Sequence, residues 1–156
     1  AEDFKAFVFH LKRIYQENES LENLFLLRDG EINFYHALER FRNIFLSSEL
    51  NRSHKHIGSS YKKSACKRLM MYLRWMVRKD NKGVDFGIWD KLAPAYLSCP
   101  LDVHSGNIAR KLGILQRKQN DWKAVEELDL KLRKYNPQDP ALYDFALFGL
   151  GALEGF

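Results

Sequence analysis

At 156 residues, with 46% hydrophobic and 13% aromatic side chains, the chain has enough apolar material for one domain with a real core. No apolar run is long enough to span a bilayer, and two cysteines, Cys66 and Cys99, supply neither a disulfide framework nor the ligands of an iron–sulfur cluster. The net charge of +5 is unevenly spread: between Arg52 and Lys82 stand ten Lys or Arg residues and one acid, Asp80, so the remainder is net acidic. Such a concentration of cations is the footprint of a polyanion, DNA or RNA first, or else a solvated helix face.

In chain order the pattern is helical almost throughout. Phe4, Phe7, Val8, Leu11, Ile14 and Tyr15 recur at three- and four-residue spacing, which predicts a first helix with one apolar stripe. Ser20 caps a short second helix carrying Leu21, Leu24 and Phe25, and Asp29-Gly30 ends it. Phe34, Ala37, Leu38, Phe41, Ile44 and Phe45 repeat the stripe, and phenylalanines at this spacing read as core. Ser47 to Ser60 is the first real loop, with Gly58 as a turn residue that tolerates positive φ and the serines as caps for the next helix. That basic helix is predicted over residues 60–78, with Leu69, Tyr72, Leu73 and Met76 inward and Lys63, Lys67, Arg74 and Arg78 off that stripe.

Asn81-Lys82-Gly83 stops this helix. The segment Val84 to Trp89 is an aromatic connection ending in a short helix through Leu92, and Pro94 and Pro100 bracket a second connection. Asp102 is placed to cap a helix through Ile108 to Leu112, with Gly113 as its stop. Asp121 caps the next, with Trp122, Val125, Leu128 and Leu132 inside, ending before Asn136-Pro137. Asp139-Pro140 is the clearest start signal, opening a last helix with Leu142, Phe145, Leu147, Phe148 and Leu150. No segment alternates with period two. The expected architecture is an all-α bundle of about seven helices, one domain over residues 1–156, with residues 47–79 forming a hairpin and basic helix.

Several of these residue types carry chemistry. A glycine turn before a lysine-rich helix suits a phosphate, which makes Gly58, Ser59, Ser60, Lys62, Lys63, Arg68, Arg74 and Arg78 candidate DNA contacts. Arg74 and Arg78 read equally as a solvated face. One lysine and one aspartate suffice for base excision with strand cleavage. Lys67, partly desolvated, would attack the sugar C1′ and form a Schiff base, and Asp102 would stabilise the positive charge developing on the sugar. Lys63 is a rival nucleophile, and Asp102 alone is an ordinary N-cap. His54, His56 and His104 with either cysteine match no zinc spacing, so no metal and no cofactor are expected. Trp75 and Trp89 read as core.

The stretch Pro-Leu-Asp-Val-His-Ser-Gly-Asn-Ile-Ala-Arg-Lys-Leu-Gly (100–113) resembles a segment of the helix-hairpin-helix DNA glycosylases, the endonuclease III superfamily. The blocks Ser-Ala-Cys-Lys-Arg-Leu-Met-Met-Tyr-Leu-Arg-Trp-Met-Val-Arg (64–78), Gly-Val-Asp-Phe-Gly-Ile-Trp (83–89) and Asp-Pro-Ala-Leu-Tyr-Asp-Phe-Ala-Leu-Phe-Gly-Leu-Gly (139–151) look like a bacterial family near the archaeal 8-oxoguanine DNA glycosylases. The resemblance covers the chain from about Asp3 onward. It implies a helix-hairpin-helix glycosylase fold, Asp102 as the assisting carboxylate, His104 as a further DNA contact, double-stranded DNA as partner and an oxidised purine as target. A bacterial cytoplasmic location, on the nucleoid when DNA-bound, goes with it. The usual Leu-Pro-Gly-x-Gly hairpin is absent, and Lys67 and Asp102 stand 35 positions apart, more than in the common glycosylases. The relatives' extra N-terminal helices are not found before Ala1, so the chain reads as the C-terminal part of such a domain. A helix-hairpin-helix module that grips DNA without excising a base is the alternative.

Overall fold

A computed structural model describes residues 2–47 and 56–153. Among the described residues there are seven α-helices and no strand: α1 (Glu2–Glu17), α2 (Leu21–Leu24), α3 (Tyr35–Phe45), α4 (Lys67–Val77), α5 (Val103–Lys111), α6 (Trp122–Tyr135) and α7 (Asp144–Ala152). Short 3-10 turns at Pro94–Tyr96 and Pro140–Tyr143 complete the helical content of the described residues. The expectation of an all-α fold of about seven helices is met.

The stripe on α3 does what its spacing predicts. Phe34, Ala37, Leu38, Phe41 and Phe45 are all buried, and Phe41 stacks on Phe25 with ring centroids 4.6 Å apart. Trp89 closes over the same ring at 5.7 Å, which ties the 84–89 segment to the core. Leu69, Met70, Leu73 and Val77 of α4 join this cluster, as do Trp122, Val125, Leu128 and Leu132 of α6. Burying side chains of this size is worth about 1.5–3 kcal/mol each, which is what holds α3, α4 and α6 together. Behind them α5 and α7 pack so closely that a Cβ on Gly151 would lie 3.0 Å from the His104 carbonyl oxygen.

Two stripes and one connection depart from expectation. On α1 the buried side chains are Ala6, His10 and Ile14, while Phe4, Val8 and Tyr15 are exposed. On α7 Leu147 is buried, whereas Phe145 and Phe148 stand half exposed. No helix forms up to Leu92. Instead the 84–89 segment runs back along α4, its Phe86 and Gly87 amides donating to the Trp75 carbonyl and Trp89 to that of Met76.

The largest departure lies before α4, which begins at Lys67 rather than residue 60. Lys63 (φ 66°) and Cys66 (φ 49°) both adopt the left-handed conformation, which no α-helix accommodates. Residues 59–66 form a compact turn instead: the Ser64 amide donates to the Ser59 carbonyl (3.0 Å), and the Cys66 amide to Ser64 Oγ (3.1 Å). Gly58 is not among the left-handed glycines. It is needed there for space, since a Cβ would lie 2.7 Å from Ser64 Oγ.

Candidate active site

Lys67 is the first residue of α4, and Asp102 is the N-cap of α5. Their side chains meet, Lys67 Nζ lying 2.9 Å from Asp102 Oδ2. Two residues 35 positions apart in the sequence thus become a contact pair where two helix N-termini converge. The Lys67 side chain is 45% exposed and that of Asp102 15%, so the pair is open to solvent from the lysine side. Lys67 is thus covered over part of its side chain and open to water over the rest.

Asp102 is firmly oriented. Its Oδ1 accepts the Ser105 amide (2.9 Å), and its own amide donates to Ser105 Oγ (2.9 Å), a reciprocal capping box. From behind, Asn120 Nδ2 donates to the Asp102 carbonyl (2.8 Å), and Arg110 Nη2 donates to Asn120 Oδ1 (2.6 Å). Partial burial pushes the Asp102 carboxyl up, but the Lys67 ammonium and the Ser105 donors outweigh it and hold the group below the usual range. Asp102 is therefore a carboxylate at neutral pH, aimed at a lysine.

The other candidates divide sharply. Lys62, Lys63, Arg68 and His104 are exposed, and the His104 ring lies 5.7 Å from that of Phe148. Ser59 and Ser60 are not available as contacts or caps. Both are buried, Ser59 Oγ donating to Glu39 Oε2 (2.7 Å) and Ser60 Oγ to the Tyr35 carbonyl (2.8 Å). Gly58 lies nine positions before the first residue of α4, so the expected phosphate-binding turn at a helix N-terminus is not formed by Gly58–Ser60. Arg52 and residues 48–55, including His54, lie outside the described residues.

Arg74 and Arg78 are corrected outright. The Arg74 side chain is 1% exposed, ion-paired to Asp144 and to Asp85 Oδ2 (3.2 Å), with the Phe145 ring 4.2 Å from its guanidinium carbon. Arg78 is also buried, bonded to Asp85, to Asp139 (2.9 Å) and to Asp80 (3.3 Å). A guanidinium buried among these carboxylates is out of reach of a phosphate on the surface. Asp139, expected to cap the last helix, caps nothing there and serves Arg78 instead.

Sequence reasoning missed Ser105, Asn120 and Arg110. The Asp-x-x-Ser spacing of the capping box is a signal that could have found the first, whereas nothing in the sequence marks Asn120. Among the described residues no group of three or more His, Cys, Asp or Glu side chains gathers as a metal site. Cys66 is buried at the N-cap of α4, and burial pushes its thiol up to about 11, which makes it inert rather than nucleophilic. No helix among the described residues is long and apolar enough to cross a membrane.

Fold and site together define an all-helical protein with a lysine–carboxylate pair at a junction of helix N-termini. The chain belongs to the DUF2400 family, described as a protein of unknown function, whose profile matches residues 1–153. No curated protein and no solved structure matches the chain.

Proposed function

We propose that this protein is a DNA glycosylase/lyase of the helix-hairpin-helix type, acting on an oxidised purine of the 8-oxoguanine class in double-stranded DNA. The observation that carries the reading is the 2.9 Å contact between Lys67 Nζ and Asp102 Oδ2. A lysine nucleophile must lose a proton before it attacks, and a carboxylate at hydrogen-bond distance offers both a proton acceptor and a counter-charge. The neutral amine forms a bond to C1′ as the glycosidic C–N bond breaks. The base leaves with the electron pair and takes up a proton, the attached nitrogen gives one up to the carboxylate, and the C1′–O4′ bond then breaks, leaving a protonated imine at C1′ and a hydroxyl at C4′ once O4′ takes a proton.

The exposed cations Lys62, Lys63 and Arg68, with the exposed His104 imidazole as a hydrogen-bonding group, suit a DNA backbone. Half-exposed Phe145 and Phe148 add ring faces on the neighbouring helix, Phe148 next to His104, where an extruded base can stack. Borohydride reduction on a duplex containing 8-oxoguanine tests the reading. A covalent protein–DNA adduct is expected from the wild type and from Lys63→Gln but not from Lys67→Gln. An adduct that survives Lys67→Gln and vanishes with Lys63→Gln moves the nucleophile to Lys63.

One observation favours the alternative, a DNA-binding module without excision. Every oxygen of Asp102 already has a structural partner, in Ser105, Lys67 or Asn120. Duplex binding with no adduct on any oxidised-purine substrate would select that reading.

A further inference from the structure

The turn before α4 presents an aromatic side chain that the core does not use. Tyr61 is 55% exposed, yet it is not loose. Its hydroxyl lies 2.7 Å from His36 Nδ1, and its ring is 5.2 Å from that of Tyr35, which in turn sits 5.0 Å from Trp122. The backbone beneath is fixed by the Ser60 hydroxyl on the Tyr35 carbonyl and by the Lys62 amide on Ser59 Oγ (3.1 Å). Next to the ring come two exposed lysines, Lys62 and Lys63, the second in the left-handed conformation. A non-glycine residue held there costs of order 1 kcal/mol or more, and the folded chain keeps it.

This turn is fastened to the Lys67–Asp102 pair. The Trp122 amide donates to the Lys63 carbonyl (3.0 Å), Asp121 bridges Ser64, and Asn120 holds the Asp102 carbonyl. Three consecutive residues, 120–122, therefore fix the aromatic turn and the carboxylate in one frame. An acid beside the aromatic row, Glu126, is engaged by Trp122 Nε1 (3.2 Å).

We propose that Tyr61, Lys62 and Lys63 form a stacking station for an unpaired DNA base next to the reactive pair, the ring taking the face of the base and the lysines its flanking phosphates. The proposal rests on the DNA reading above and names a feature of the substrate, a single-stranded or disrupted stretch beside the target. A pre-organised aromatic flanked by cations is the chemistry of single-strand recognition, because every base has a π-face and every linkage a charge. Fixing the ring in the free protein removes much of the ordering cost on binding.

The test compares a blunt duplex with the same duplex carrying a single-stranded tail that contains 2-aminopurine. The wild-type chain should bind the tailed DNA more tightly and quench the 2-aminopurine. Tyr61→Ala should lose the quench and bind the tailed DNA about tenfold more weakly, with blunt-duplex affinity unchanged. Tyr61→Phe keeps the ring without the hydroxyl and should retain most of both. Equal quenching and affinity in Tyr61→Ala, or no wild-type preference for the tail, overturns the proposal. Borohydride capture at Lys67 reads the other claim separately. Capture without tail preference sinks the stacking station alone, and tail binding without capture sinks excision alone. Failure to bind either DNA removes both.

Discussion

The two halves of α4 carry cations of the same sign in the same stretch of sequence and use them in opposite ways. At its start Lys67 meets Asp102 with almost half of its side chain in water. Two turns on, Arg74 meets Asp144 and Asp85 with none to spare. Ion pairs open to solvent contribute about 0–1 kcal/mol, so the first pair is nearly free to be rearranged by a ligand. The second cannot be. Removing one partner of a buried pair leaves a desolvated charge, and the cost is about 3–5 kcal/mol. A charge run thus says how many cations there are, whereas the acids brought to them decide which remain available to bind.

Breaking the buried end gives the largest expected effect. Arg74→Ala strands the Asp144 carboxylate, leaves Asp85 to Arg78 alone and uncovers the Phe145 ring, and should lower stability by about 3–5 kcal/mol in urea unfolding. Arg74→Lys keeps the charge but loses the fork by which Nη1 meets Asp144 and Nη2 meets Asp85, so it should fall between that variant and the wild type. Lys67→Gln should cost less than about 1 kcal/mol. Equal losses at the two positions would erase the contrast between the halves.

Asp102 sharpens it, because this residue joins a structural role to the proposed chemical one. Asp102→Ala removes the cap and should cost about 1 kcal/mol. Asp102→Asn caps as well and should melt within a few degrees of wild type, while the borohydride adduct falls to background for want of the charge. An Asp102→Asn protein with full adduct formation would reduce the residue to a cap.

Much of this fold is legible in the sequence where the signal is local. The α3 and α6 stripes, the caps at Ser20, Asp102 and Asp121, and the stop at Gly113 (φ 70°) all rest on spacing or side-chain chemistry over three or four residues. Failures arise where the deciding partner is remote. Arg74 and Arg78 look solvated until Asp144 and Asp139 arrive from 70 and 61 positions away. The start of α4 escapes a sequence reading because its breakers are Lys63 and Cys66 in left-handed conformations, with no glycine or proline to announce them. Lys67 and Asp102 stand out as two separate residues, and only the folded chain joins them.

Salt dependence of DNA binding sets the exposed cations before α4 against the buried one at its C-terminus in one measurement. Each lysine that neutralises a phosphate contributes about 0.9 to the slope of log affinity against log salt. Replacing exposed Lys62 and Lys63 by Ala should flatten the slope by about that much for each phosphate no longer neutralised. Methionine at Arg78, studied at a denaturant-free temperature where the variant is folded, should leave it unchanged, since that guanidinium faces Asp139 and Asp85 rather than solvent.

The smallest effect is one of pH, and its sign differs between the halves. The Asp102 carboxyl is held below its ordinary value, so folding favours its ionised form. Its contribution is present above the unfolded value, about 4, and is lost as pH falls through the lower folded value. Asp144 runs the other way: burial pushes it up despite Arg74, so folding favours its proton, and stability declines as pH rises through the unfolded value toward the folded one. Asp102→Asn keeps the cap and deletes only the first contribution. Its stability should therefore trail wild type by less than about 1 kcal/mol at neutral pH and converge on it toward about pH 2. Unfolding free energies across that range decide the matter. A gap that stays constant with pH would mean that the Lys67 contact does not favour the charged carboxylate, and the exposed pair would lose its distinction from an ordinary cap.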